Sequence, residues 1–405
     1  MEGSRSIPAS SPSLSVRQAL QAEQERRLRF VRSVFARYYR SDQPPPIEVT
    51  EPERREFAYW EFGKQVMTRH LSFQSVEELM KKLAEVVPLH AYRSSAYFRY
   101  PAAPMEEKGW EGADLVFDID ADHLDLTCVQ EHQYMVCPVH GLVEVLEGKC
   151  AECGSDLIEV EWVCERCIEG ARAELVKLLN VLMDDFGIPE SEIEVGFSGN
   201  RGFHVVVYSD ALRQLDQMAR REIVMYLTCE GIDPSILGLP WKGRKTKGLR
   251  RPSLEDPAWR GRIVRAVARH LVRSGEMAGW LEDPDWSAAK PSYWRELISK
   301  AIAEEKVRID PVVTQDVHRL VRLPWSLNGK TGLAAARIPL DRIEDFDPFE
   351  EAVVLKGPPV KVRVLFSPKF RLGGEEFDAL EGPVEVRMPV AAAVYLMLKG
   401  LATLP

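Results

Sequence analysis

A chain of 405 residues that is 45% hydrophobic and 28% charged has the profile of a globular protein with room for one large or two to three ordinary domains. Its formal charge of −9 argues against a uniformly basic nucleic-acid coat or membrane-surface protein, while leaving room for a local basic groove. The longest late apolar stretch, Val390 to Leu398, is half of what a bilayer span needs, so no membrane role is expected.

Residues 1–15 are polar and rich in Ser and Pro, which predicts a disordered tail without a secretory signal. Val16 to Tyr39 has helical spacing, with Leu20, Leu28, Val31 and Phe35 on one face, and the prolines at 44–46 end it. A second helix is expected over Ser75 to Val87. Ala113 to Ile119 reads as a buried strand, with Leu115, Val116, Phe117 and Ile119 in one apolar run. Residues 170–186 are helical in pattern. Ile193 to Phe197 and Phe203 to Tyr208 read as two strands joined by the glycine-bearing turn Ser198 to Gly202. Residues 211–304 are mostly helical in pattern and include a basic loop, Lys242 to Arg251. A strand-like return begins near Val307 and leads to Leu320–Leu323. Short strands and a small apolar helix from about Pro389 to Leu398 close the chain. The expected class is a mixed α/β protein.

Asp118 and Asp120 sit two apart at the end of the Ala113–Ile119 strand. Residues i and i+2 of a strand share a face, so both carboxylates reach one point while Ile119 turns inward. Two such carboxylates repel each other unless a cation lies between them, and hard oxygens at this spacing suit Mg²⁺ or Mn²⁺. Alone, the triplet reads more readily as a solvated strand end or turn. Asp310 offers a third carboxylate that would complete a two-metal site, although before Pro311 it also reads as a turn residue.

The turn Ser198-Gly199-Asn200-Arg201-Gly202, followed by Phe203 and His204, allows close backbone approach to an anion, with Arg201 and His204 as donors. It lacks the ending of a P-loop and leads into a strand, and its plain alternative is a β-hairpin with a surface Arg. Arg322 lies in the apolar run Leu320–Leu323, an expensive place for a charge without an anion or carboxylate beside it. Lys330 sits in the glycine-bounded turn Asn328 to Gly332. Both suit a triphosphate.

From Cys128 to Cys167, six of the seven Cys and two His fall within 40 residues. Without an export signal this points to a reducing, cytoplasmic compartment, where such groups bind metal more often than they form disulfides. Cys128, His132, Cys137, His140, Cys150, Cys153, Cys164 and Cys167 make two tetrahedral zinc sites. Spacing permits Cys137/His140 with Cys150/Cys153, leaving Cys128/His132 with Cys164/Cys167. It also permits Cys150/Cys153 with Cys164/Cys167. Both sites read as structural, because the segment is too poor in aliphatic bulk to fold alone. Cys229 reads as a buried free thiol.

Together these pieces resemble the small subunit of archaeal and eukaryotic DNA primases. The resemblance is carried by Arg55-Glu56-Phe57-Ala58, Arg69 to Phe73, Tyr92 with Ser94-Ser95-Ala96, Lys108-Gly109-Trp110, Ala113 to His123, Ser198 to His204 and Asp310 to Leu333. It implies a mixed α/β catalytic core with an RRM-like sheet, a small helical insertion and a zinc knuckle. The expected organisation is a tail (1–15), core segments at 16–127, 168–209 and 306–405, a zinc segment at 128–167 and a helical insertion at 210–305. The family's knuckle matches Cys128, His132, Cys164 and Cys167, which makes residues 133–163 an inserted ribbon with its own zinc on Cys137, His140, Cys150 and Cys153.

The resemblance further implies that Asp118, Asp120 and Asp310 hold the catalytic Mg²⁺ or Mn²⁺, and that Ser198, Arg201, His204, Arg322 and Lys330 bind triphosphate. Glu56 and Arg69 match positions near the incoming nucleotide. Asn328 stands where the family usually has His, and Asn200 where it often has a larger or basic residue. The implied activity is de novo synthesis of short primers from nucleoside triphosphates on a single-stranded DNA template. The implied partner is a large subunit carrying an iron–sulfur cluster, since Cys229 alone would remain here once two zinc ions are assigned. Two alternatives are a repair or translesion primase-polymerase of the same superfamily and a catalytically inactive zinc-ribbon nucleic-acid-binding subunit.

Overall fold

The computed structural model describes residues 14–143, 145–146, 148–241, 250–276, 280 and 284–405. The expected tail and most of the basic loop at 242–251 therefore lie outside the described residues.

Two four-stranded antiparallel sheets position the site. The central sheet runs in the order Arg337–Ile338, Ile193–Phe197, Gly202–Val207, Leu115–Asp120. Its period-two pattern sorts residues by face. Leu115, Phe117, Ile119, Phe203, Val205 and Val207 are buried in the main core. The helix Glu165–Asp184 packs on the two strands that carry them, through apolar positions such as Ile168, Ala171, Leu175, Leu178 and Leu182 at helical spacing. The opposite face carries Val116, Asp118, Asp120, His204 and Val206. There Val116 and Val206 form a small cluster with Val313 and Val321.

Val321 belongs to the second sheet, ordered Leu320–Arg322, His90–Ser94, Phe57–Trp60, Thr68–Leu71. That contact brings Arg322 and His90 opposite the aspartates. The helix Leu14–Tyr39 contacts both the helix Val76–Val86 and the C-terminal helix Val390–Leu398.

Gly202 pairs with Asp120, and a Cβ built on it would lie 2.1 Å from the Ile119 carbonyl oxygen. No side chain can relieve that clash, because the obstacle is backbone. Gly202→Ala is expected to push the two strands apart and lower stability by ~3 kcal/mol, read as a fall in the urea midpoint. An unchanged midpoint would show that the strands yield without cost.

Two sequence expectations are corrected. Asp310 does not start a strand. It caps the short helix Pro311–Gln315, its Oδ1 accepting from Val312 N at 2.9 Å, and the strand proper is Leu320–Arg322. Pro311 at the first helical position favours that start, and the pair Val312-Val313 mimicked a strand signal. The expected strand through Ala113 is broken at Asp114 into Trp110–Ala113 and Leu115–Asp120. The cause is Asp114 itself, buried and ion-paired with Arg55 at 2.8 Å, while Arg220 takes the carbonyls of Ala113 and Asp114.

The helices Gln217–Thr228, Ala258–Ser274 and Pro291–Glu305 contribute to a separate core around Trp259, Trp280, Trp286 and Trp294. Cys229 ends the first of these helices at φ 57°, partly buried, and burial pushes its thiol up to about 12.

Candidate active site

A cavity of about 310 Å³ opens between the two sheets, with Asp118, Asp120, Ser198, Arg201, His204, Arg322 and Lys330 on its wall. Asp118 and Asp120 project together, as strand parity requires, while Ile119 is fully buried. Asp310 joins through the main chain: its N–H donates to the Asp118 carbonyl at 2.9 Å. The preceding residues are anchored too. Val307 N donates to Leu227 O at 2.9 Å and Arg308 N to the buried Glu174 Oε2 at 3.0 Å.

The carboxylates are engaged with the site's cations. His204 Nε2 lies 3.1 Å from Asp118 Oδ1, and Arg201 Nε lies 3.0 Å from Asp120 Oδ1. Burial works against the charge of Asp118, but His204 chiefly, with Arg319 and His123, outweighs it and holds the carboxyl below its usual value. Asp120 goes the other way. Burial, with the like charges of Asp122 and Asp118, overcomes Arg201 and pushes it up to about 6. Asp118 and Asp120, one of them reluctant to ionise, offer hard oxygens that suit a divalent cation, while Asp310 does not line the cavity and its side chain accepts from Val312 N.

The turn is locked from within. Ser198 Oγ accepts from Asn200 N at 3.3 Å and Gly202 N at 3.2 Å. Asn328 is buried: its Nδ2 donates to Ser198 O at 3.0 Å and its Oδ1 accepts from Lys330 N at 2.9 Å. Thr331 Oγ1 adds a bond to Gly199 O. Asn328 thus joins the two cavity loops through its amide, a role that needs a donor and an acceptor but no charge.

Arg322 has no carboxylate paired with it among the described residues. Its Nη1 faces His90 Nδ1 at 2.6 Å and its guanidinium lies 4.7 Å from the Tyr92 ring centre. His90 escaped the sequence reading, since a lone His at a strand start carries no signal. Burial first, then the charges of Arg322 and Lys330, hold it down to about 3, and as a neutral ring its Nδ1 accepts from Gly329 N at 3.1 Å. An unfolded His takes its proton near 6.5. Between those values the unfolded state binds more protons, so stability falls as pH drops from about 6.5 toward 3. His90→Gln is expected to flatten that acid limb in urea midpoints taken between about pH 7 and pH 4. A limb of unchanged steepness would show that His90 does not titrate so.

Glu56 and Arg69 come together, Oε1 to Nε at 3.0 Å, but neither lines the cavity. Arg69 is on the strand Thr68–Leu71, at the sheet edge farthest from Leu320–Arg322, and Glu56 is buried among Arg69, His70 and Lys108. Glu161 is the other residue the sequence hid: its Oε2 lies 3.0 Å from Arg201 Nη1 and 3.7 Å from Lys330 Nζ.

The Cys/His segment resolves into two four-residue sets: Cys128, His132, Cys164 and Cys167, and Cys137, His140, Cys150 and Cys153. This is the partition the resemblance implied. Within each set the ligand atoms lie within 4.8 Å of one another. Cys128 and Cys167 sulfurs are 3.5 Å apart, Cys137 and Cys153 3.6 Å, and His140 Nδ1 is 3.5 Å from Cys150 Sγ. Four ligands about 2.3 Å (S) or 2.0 Å (N) from a tetrahedral zinc stand ~3.5–3.8 Å apart, so the spacing fits that ion. Asp118, Asp120 and Asp310 form no such tight set among the described residues.

By fold and site this is a mixed α/β protein with two Cys/His clusters able to hold metal ions and a cavity where carboxylates face guanidinium and imidazole groups, a primase-like core. A family model described as DNA primase small subunit matches residues 156–340. The chain is 33% identical over 381 residues to the DNA primase small subunit PriS of Nitrosopumilus maritimus, covering 93% of this chain and 98% of that one. It is 34% identical to the PriS of Methanothrix thermoacetophila (92% and 98% covered) and 36% identical to that of Hyperthermus butylicus (86% and 90%). The chain belongs to the DNA primase small subunit family.

Proposed function

We propose that this chain is the catalytic subunit of a DNA primase, which joins nucleoside triphosphates into short primers on single-stranded DNA by two-metal nucleotidyl transfer. The observation that carries the reading is one cavity whose wall holds Asp118 and Asp120, paired with His204 and Arg201, together with Arg322 and Lys330. Asp118, Asp120 and Asp310 would hold Mg²⁺ or Mn²⁺, which, when bound, polarise the reacting hydroxyl and phosphate and neutralise developing charge. Arg201, His204 and Lys330 then turn from the carboxylates to the β- and γ-phosphates. Arg322, a partly buried cation short of a counter-charge, receives phosphate at reduced further desolvation cost. The turn at Ser198 to Gly202, held by Asn328 and Thr331, keeps these donors in place, so the protein works by positioning and charge neutralisation. Glu56 and Arg69 act at most by supporting the neighbouring sheet.

The two Cys/His sets hold structural zinc, the first as the knuckle and the second within an inserted ribbon at 133–163. The central sheet serves as the RRM-like element of a core formed by 16–127, 168–209 and 306–405, with 210–305 as the helical insertion. Partners are single-stranded DNA and a large subunit that supplies the iron–sulfur cluster, in the cytoplasm. Among the described residues no helix is long and apolar enough to cross a membrane.

The test is a denaturing gel of products made on single-stranded template from ribo- or deoxyribonucleotides without primer. Short products formed de novo are expected. Extension of a supplied primer with no de novo product would overturn the priming assignment.

A further inference from the structure

Arg201 is ringed by three carboxylates. Its Nε meets Asp120, its Nη2 meets Asp122, and its Nη1 meets Glu161 at 3.0 Å. Among these three, Glu161 alone also reaches a second cation of the cradle, Lys330 Nζ at 3.7 Å, and a single oxygen, Oε2, serves both contacts. Its side chain is also the most exposed of the three, at 55% against 33% for Asp122 and 30% for Asp120. Its main chain, in contrast, is fixed. It pairs with Gln133 at the end of the strand Ile158–Glu161, and its carbonyl accepts from Lys399 Nζ at 2.9 Å.

We infer that the Glu161 carboxylate is an internal stand-in for a phosphate oxygen of the nucleotide, holding Arg201 and Lys330 together until the polyphosphate replaces it. The inference rests on the nucleotide-binding reading of Arg201 and Lys330. Exchange needs only a rotation of the Glu161 side chain about an anchored backbone. An exposed ion pair is weak, so the carboxylate is displaceable, whereas the incoming phosphate brings more charge to the same two donors. Glu161 leads directly into Trp162, Val163 and Cys164, so the Cys/His segment supplies the residue against which nucleotide affinity is set. Glu161 is a positioning residue: it tunes binding through Arg201 and Lys330.

The test uses the full-length, zinc-loaded protein and calorimetric titration with inorganic tripolyphosphate, without added Mg²⁺. Glu161→Gln is expected to tighten binding about three- to tenfold. Glu161→Asp keeps the charge but is too short to bridge Arg201 and Lys330, so it tightens binding as well. Glu159→Gln, exposed on the same strand, changes affinity by less than about twofold. Equal affinity for wild type and Glu161→Gln overturns the inference. So does a gain in Glu159→Gln as large as that in Glu161→Gln, which would mark a general charge effect. If Arg201→Ala weakens binding while Glu161→Gln changes nothing, the phosphate cradle stands and the stand-in falls alone. If tripolyphosphate binds no form of the protein, the nucleotide-binding reading falls with it.

Discussion

Asp118→Asn and Asp310→Asn are each expected to reduce primer synthesis by on the order of a thousandfold or more while zinc content stays unchanged. Both substitutions keep shape and hydrogen bonding but remove the charge on which a divalent cation depends. Asn is the sharper choice at 310. The Asp310 side chain caps the helix Pro311–Gln315 through Val312 N, and Asn caps about as well as Asp, whereas Ala would also cost ~1 kcal/mol of helix anchoring. Loss of activity in Asp310→Asn with an unchanged melting temperature therefore isolates the carboxylate's chemistry from its structural role. At 118 the substitution also removes the charge facing His204 at 3.1 Å, leaving the fold of the buried strand intact. Full activity in either variant removes that residue from the mechanism.

The second large effect concerns the Cys/His sets. Zinc analysis of the native protein should give two ions per chain, and Cys167→Ser and Cys150→Ser should each lower that to one. Their structural costs are expected to differ. Cys128 and Cys167 belong to the main core, and Cys167 lies in the first turn of Glu165–Asp184, the helix packed on the central sheet behind Asp118 and Asp120. A structural zinc contributes on the order of 10 kcal/mol to the segment it folds. Losing it there should unseat the start of that helix and lower the melting temperature by at least ~5 °C. Cys150 sits in a two-stranded ribbon whose loss remains local. Two ions retained in Cys167→Ser would remove it from the ligand set. Equal destabilisation by both variants would contradict the proposed hierarchy.

Much of the candidate site follows from local pattern. The i, i+2 spacing of Asp118 and Asp120, the strand–turn–strand around Gly199 and Gly202, and the short Cys/His spacings such as Cys164 to Cys167 all operate over a few residues, where geometry depends on chain stereochemistry alone. His90, Glu161 and the working role of Asn328 were out of reach for the opposite reason. Each acts on a partner more than a hundred residues away in sequence: Arg322, Lys330 and Ser198 respectively. Asp310 stands between these cases. Its residue type pointed to the site, but the strand expected around it is a capped helical turn, because Pro311 and the cap outweigh the β-branched pair that follows.

By itself, then, the sequence determined the ligand chemistry: which side chains are hard oxygen donors, which are soft metal ligands, and which cations want an anion. Such choices are written in residue types and short spacings. Only the tertiary structure decided the engagement of Arg201 and His204 by carboxylates and the exclusion of Glu56, Arg69 and Asp310 from the cavity wall. The make-up of the cavity wall depends on how the two sheets face each other across the cluster of Val116, Val206, Val313 and Val321. Apolar packing of that kind is non-directional, so it is set by the whole core at once.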